Sequence, residues 1–121
     1  MSTLLLLLTL FQIKHFICGF PLQAFPYQYK NKGTYLHLGG ILHAGIHFIG
    51  TSLILIFFTK YWLLLSIVDF ILHYHIDWAK MNINKRFNLK PDNSEWFWIW
   101  LGIDQLLHQL TYITLIYYVS I

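Results

Sequence analysis

Residues 69–77, Asp-Phe-Ile-Leu-His-Tyr-His-Ile-Asp, set two aspartates and two histidines inside an apolar run that begins at Tyr61. A carboxylate at the centre of a bilayer costs about 2.5–3.5 kcal/mol even on lenient insertion scales, so other helices must compensate such a stretch. At about 100° per residue, Asp69, His73 and Asp77 fall on one helical stripe, and His75 points almost the opposite way. The fold therefore has to present polar groups to that stripe.

The rest of the chain agrees with a bilayer as its solvent. Of 121 residues, 57% are hydrophobic and 11% charged, against about 25% charged in a soluble domain. Four helices of about 20 residues with short links use nearly the whole length. The expected fold is all-α, a single transmembrane domain over residues 1–121. It is an integral membrane four-helix bundle with helices over residues 3–20, 36–58, 61–79 and 95–121. Pro21 ends the first helix. Residues 1–10 contain a leucine run but no basic leader or small-residue cleavage site, and read as part of a retained helix. Gly39, Gly40, Gly45 and Gly50 in the second helix allow close approach of a neighbour. Thr59-Lys60 leaves room only for a tight turn. Ser94 or Asn93 caps the last helix, and Trp96, Trp98 and Trp100 anchor its entry at the headgroup level.

A net charge of +3 and a pI near 9.0 do not point to nucleic acid, because the cations are few and lie between the apolar runs. Lys30, Lys32, Lys80, Lys85, Arg86 and Lys90 occupy the loops over 21–35 and 80–94, and Lys60 alone occupies the turn between them. Cationic loops stay in the cytoplasm, which puts both long loops inside and both termini outside an inner, multi-pass cell membrane. The lone Cys18 excludes an internal disulfide and reads as a small buried residue.

At 1.5 Å per residue, His15 lies about 8 Å from the cytoplasmic end of its helix, and His43 and His47 about 10 and 16 Å from theirs. His73 and Asp77 lie at about 9 and 3 Å, and Asp104 and His108 at about 12 and 18 Å. All four helices thus bring imidazoles or carboxylates into the cytoplasmic half. The spacing is a second sign. The seven histidines and four aspartates, scattered at random, would give roughly one pair separated by four. Here 43/47, 69/73, 73/77 and 104/108 all have that separation, which lets both side chains of a pair grip one ion. His15, His43, His47, His73, Asp77, Asp104 and His108 are the candidate ligands. They suit two metals sharing a carboxylate, or one metal with supporting groups around it. A histidine-rich set favours a divalent ion such as zinc, with iron and manganese as alternatives.

Plainer roles exist for single residues. A histidine or aspartate in a membrane helix can hydrogen-bond a neighbour and glue the bundle at about 1 kcal/mol. His37 belongs at the interface, and His75 against a neighbouring helix or partner. Lys14 snorkels or pairs with an acid.

The chain also resembles a known family, the small bacterial and phage membrane proteins of domain-of-unknown-function family 3307. The likeness rests on His15 ahead of Phe20-Pro21-Leu22-Gln23, His43-Ala44-Gly45-Ile46-His47, His73-Tyr74-His75-Ile76-Asp77 and Asp104-Gln105-Leu106-Leu107-His108. It covers nearly the whole length. Where such proteins commonly carry an aspartate before the Phe-Pro turn, this chain has Gly19. The resemblance implies the fold and the polar site, and no activity.

The leading functional expectation is a metal-dependent, zinc-type hydrolase acting on a phosphoester or acyl bond of a lipid or membrane-associated substrate, with a metal-polarised water as nucleophile. Asp69 is the first choice as catalytic base, or as orienter of His73. A second expectation is a non-catalytic subunit of a larger membrane complex, held by a structural metal or polar core. Bis-histidine haem is a weaker third, since carboxylates are unusual haem ligands. No nucleophilic serine motif or phosphate loop is present. Purified protein is accordingly expected to show no Soret band in an absorbance scan, and the appearance of one would reassign the histidines to haem.

Overall fold

Ser2 opens the first helix by accepting a hydrogen bond from the Leu5 amide at 3.2 Å, which satisfies one donor that a helix start leaves unpaired. The computed structural model describes residues 2–20, 35 and 38–120. These contain four α-helices and no strand: α1 (Thr3–Gly19), α2 (Leu38–Leu55), α3 (Trp62–Arg86) and α4 (Glu95–Ser120). Pro21, His37 and the expected loop over 21–35, Tyr35 apart, lie outside the described residues. Among the described helices, Leu38–Leu55 is long and apolar enough to cross a membrane by length and composition, and Thr3–Gly19 is apolar but shorter.

The largest departure from expectation is the length of α3, which runs past residue 79 to Arg86. Its stop signal is Asn88, at φ 52°. The Leu89 amide donates to the Asn84 carbonyl at 2.8 Å and the Asn88 amide to that of Lys85 at 3.3 Å. This is the paired closure that a left-handed residue just past a helix end permits, and asparagine tolerates that backbone better than most side chains. Lys80, Lys85 and Arg86 therefore ride on helix. The α2–α3 turn spans residues 56–61, closed by Thr59 N–H to Leu55 C=O at 3.1 Å. Ser94 caps α4, its hydroxyl accepting from the Trp96 amide at 3.1 Å.

Each helix packs on its sequence neighbours, and α1 closes the ring against α4. The buried faces follow three- and four-residue spacing: Leu7, Phe11, Lys14 and Cys18 on α1, and His43, His47, Thr51 and Leu55 on α2. Across the bundle this makes three layers. At the end holding the α2–α3 turn, Leu7, Phe11, Leu55, Leu65, Leu115 and Ile116 form a dry core. In the middle, Lys14, Thr51, Asp69 and Tyr112 meet. The remaining half holds the histidines.

Gly50 alone of the described helical glycines with a measured surround does what the glycine pattern suggested. A Cβ there would stand 2.9 Å from Lys14 Cγ and 3.2 Å from Cys18 Sγ, whereas at Gly45 it would meet nothing within 4 Å. Lys14 cannot swing aside, because its ammonium is held by Asp69. Gly50→Leu is expected to lower the thermal midpoint in detergent by an amount corresponding to about 1–3 kcal/mol, and Gly45→Leu to leave it unchanged.

Candidate metal centre

Three donors from two helices stand at the corners of a nearly equilateral triangle. His43 Nε2 and His73 Nε2 are 3.3 Å apart. Asp77 Oδ2 lies 3.3 Å from the first and 3.2 Å from the second. These separations are longer than the usual hydrogen bond of about 2.9–3.0 Å. They match the edge of a tetrahedron drawn around zinc, about 3.3–3.4 Å for bonds of about 2.0–2.1 Å. The local fold explains the convergence. His73 and Asp77 are one turn apart on the buried stripe of α3, and α2 delivers His43 opposite them.

His47, one turn further along α2, is fully buried and brings a ring nitrogen within 4.8 Å of those of His43 and His73. Neither of its nitrogens has a hydrogen-bond partner among the described residues. Leaving a buried polar group unsatisfied costs about 1–3 kcal/mol, so a histidine at this position is paradoxical unless something else takes up its lone pair. A cation bound by the neighbouring donors would do so.

From α4, His108 Nε2 reaches the other oxygen of the same aspartate, Asp77 Oδ1, at 3.2 Å, and Asp104 Oδ1 at 3.5 Å. The rings of His47, His73 and His108 form a stacked column, with centroids 3.7 and 4.0 Å apart. A cleft of about 110 Å³ opens on this column. Gly19, Phe20, Lys80 and Leu101 also line it, as do His15 and Gln105.

Two of the expected residues are engaged elsewhere. His15 lines the cleft, but Tyr112 OH donates to its Nδ1 at 2.8 Å and its Nε2 donates to Gln105 Oε1 at 2.7 Å. Both ring nitrogens are thus occupied, and His15 stands beside the candidate ligands rather than among them. Asp69 is completely buried in the middle layer. Its Oδ2 accepts from Lys14 Nζ at 3.3 Å and from the Thr51 hydroxyl at 2.5 Å. It does not line the cleft, so the base and orienting roles expected of it have no geometry here. The pairing of Lys14 with an acid is observed.

Thr51, Lys80, Gln105 and Tyr112 were not among the residues singled out for the site. Thr51 continues the 43/47 stripe by four residues, and Tyr112 continues 104/108 in the same way. Extending each stripe one more turn finds both. Lys80 reads as a loop cation until α3 is known to be helical there, where it donates to Asp104 Oδ2 at 3.4 Å. His75 faces away from the bundle interior, as expected, and meets Tyr35 OH at 3.0 Å.

Among known sequences, the family described as "Protein of unknown function (DUF3307)" matches residues 7–121. No curated protein and no solved structure matches the chain.

The Lys14–Asp69 pair has a clear energetic signature. Removing one partner from a buried ion pair leaves an uncompensated charge and costs about 3–5 kcal/mol, whereas replacing both by apolar residues is often neutral. Asp69→Leu is expected to be destabilising on that scale in detergent unfolding, and the Lys14→Met/Asp69→Leu double variant to recover most of the loss. A double variant no better than the single would show that the pair is not an isolated unit.

Proposed function

Starting from a chain that belongs to the DUF3307 family of proteins of unknown function, we propose that it is an integral membrane protein that binds a divalent metal and uses it to hydrolyse an ester or phosphoester of a lipid or membrane-associated substrate. The observation that carries the reading is the triangle of His43, His73 and Asp77 with edges of 3.2–3.3 Å. Zinc suits two or three imidazoles and one carboxylate, with iron and manganese as alternatives.

Two observations support the membrane setting. Leu53, Phe57, Leu64 and Ile113 are among many large apolar side chains exposed on the bundle's outside, far beyond the apolar patches that soluble monomers tolerate. The interior, in contrast, holds Lys14, Asp69, Asp77, Asp104 and the four buried histidines, His43, His47, His73 and His108. Polar inside and greasy outside is the arrangement expected when lipid is the solvent. α1 and α2, at 17 and 18 residues, span about 26–27 Å, close to the roughly 30 Å of a bilayer core. Lys80, Lys85 and Arg86 at the end of α3 support a cytoplasmic location for that end, and with it for the cleft.

When bound, the metal lowers the pKa of a coordinated water towards neutrality and polarises the scissile bond. The chain's own residues do the rest. His43, His73 and Asp77 would hold the ion, with a His47 ring nitrogen within 4.8 Å of those of His43 and His73. His15, fixed by Tyr112 and Gln105, presents its ring to the cleft wall. Lys80 in the cleft lining places a positive charge beside an anionic substrate. A second reading, a structural metal in a non-catalytic subunit of a membrane complex, draws on the near-complete burial of the donors, since structural sites are closed.

Elemental analysis of the protein purified in detergent is expected to find stoichiometric metal, and the His43→Ala/His47→Ala double variant, still helical by circular dichroism, to have lost it. Metal retained by that variant would defeat the site. Hydrolysis of phospholipid or aryl-ester probes by the loaded protein, lost on chelation and on Asp77→Asn, separates the catalytic from the structural reading.

A further inference from the structure

The carboxylate of Asp77 faces two ways. Its Oδ2 completes the triangle with His43 and His73. Its Oδ1 is turned to a separate group on α4, 3.2 Å from His108 Nε2. That imidazole nitrogen is in turn 3.5 Å from Asp104 Oδ1, an oxygen that accepts no hydrogen bond among the described residues although Asp104 is 2% exposed. Buried carboxylate oxygens are strong acceptors and are rarely left unused. His108 Nε2 thus stands between a carboxylate oxygen of α3 and one of α4, beside the triangle that His43, His73 and Asp77 Oδ2 form.

We propose that the centre holds two divalent ions, with Asp77 as the carboxylate shared between them. This deepens the metal-binding reading above and rests on it. The first ion takes His43, His73 and Asp77 Oδ2, and the second takes Asp77 Oδ1, His108 and Asp104.

Charge then selects the substrate class. Two divalent ions bring four positive charges, and Asp77 and Asp104 supply only two negative ones. Asp69 adds none, because Lys14 neutralises it. Lys80 in the cleft lining increases the positive excess. A site that is positive and built around a pair of ions suits a phosphoester, because the two ions would offset the negative charge on its oxygens and lower the pKa of a water nucleophile. Water adds to phosphorus, the P–O bond to the alcohol breaks, and the departing alkoxide takes the proton released from that water. A neutral acyl ester makes no comparable use of the second ion.

The full chain in detergent, loaded with Mn(II) and freed of excess metal, tests this by metal counting and electron paramagnetic resonance. The expected result is two ions per chain with an exchange-coupled spectrum. Asp104→Asn and His108→Gln, made separately so that one misfolded variant does not end the test, are each expected to fall to one ion with an isolated six-line signal. A wild-type chain holding one ion overturns the shared-carboxylate pair and leaves the single-metal reading standing. A chain holding none overturns both. Folded variants that keep the coupled pair, or that lose both ions, also overturn it. Inorganic phosphate is expected to shift the coupled spectrum and acetate to leave it unchanged. Indifference to phosphate would overturn the substrate assignment.

Discussion

The organising constraint in this bundle is the desolvation of charge. Each carboxylate or imidazole taken from water into a dry interior loses several kcal/mol of hydration, and the structure recovers that loss only by converging such groups on one another. Asp69 finds Lys14 and Thr51, Asp77 finds three histidines, and Asp104 finds Lys80 and Gln105. The helix arrangement follows. α1 must lie between α2 and α4 so that Lys14 reaches Asp69 while His15 reaches Tyr112. α3 must present one unbroken stripe from Leu65 to Asp77 to the interior.

The layers differ in what holds them together. The dry end around Leu7, Phe11, Leu55 and Leu115 holds the bundle by packing alone. The middle layer fixes rotation and register, because an ion pair between α1 and α3 tolerates little sliding of one helix against the other. It also links to the site through one chain of contacts: Lys14 donates to Tyr112, Tyr112 donates to His15, and His15 donates to Gln105, whose amide donates to Asp104. Gly50 belongs to this layer too, since its missing side chain is the space through which Lys14 passes.

Much of the site was legible in the one-dimensional pattern, because polar residues in apolar helices stand out against their background. Separation by four identified His43, His47, His73, Asp77, Asp104 and His108, and all six face the interior together. Pattern failed where two neighbours on a helix point in different directions, or where a partner's identity matters. His15 has the right depth, yet Tyr112 and Gln105 occupy it. Asp69 has the right stripe, yet it lies two turns from Asp77 and opposite the one lysine buried in α1. Lys80 was hidden by a boundary error, since polar residues after Ala79 looked like loop, although Asn88 marked the true end of the helix.

By itself the sequence determined four helices, their apolar outer faces and the set of polar residues that had to be sheltered, because each of these depends only on composition and on the 3.6-residue period of a helix. Only the tertiary structure decided which polar groups would neutralise one another, and that both His47 ring nitrogens would find no hydrogen-bond partner among the described residues. That division rests on distances of 3–4 Å between atoms on different helices, and a helical period constrains where a side chain points but not what another helix brings to meet it.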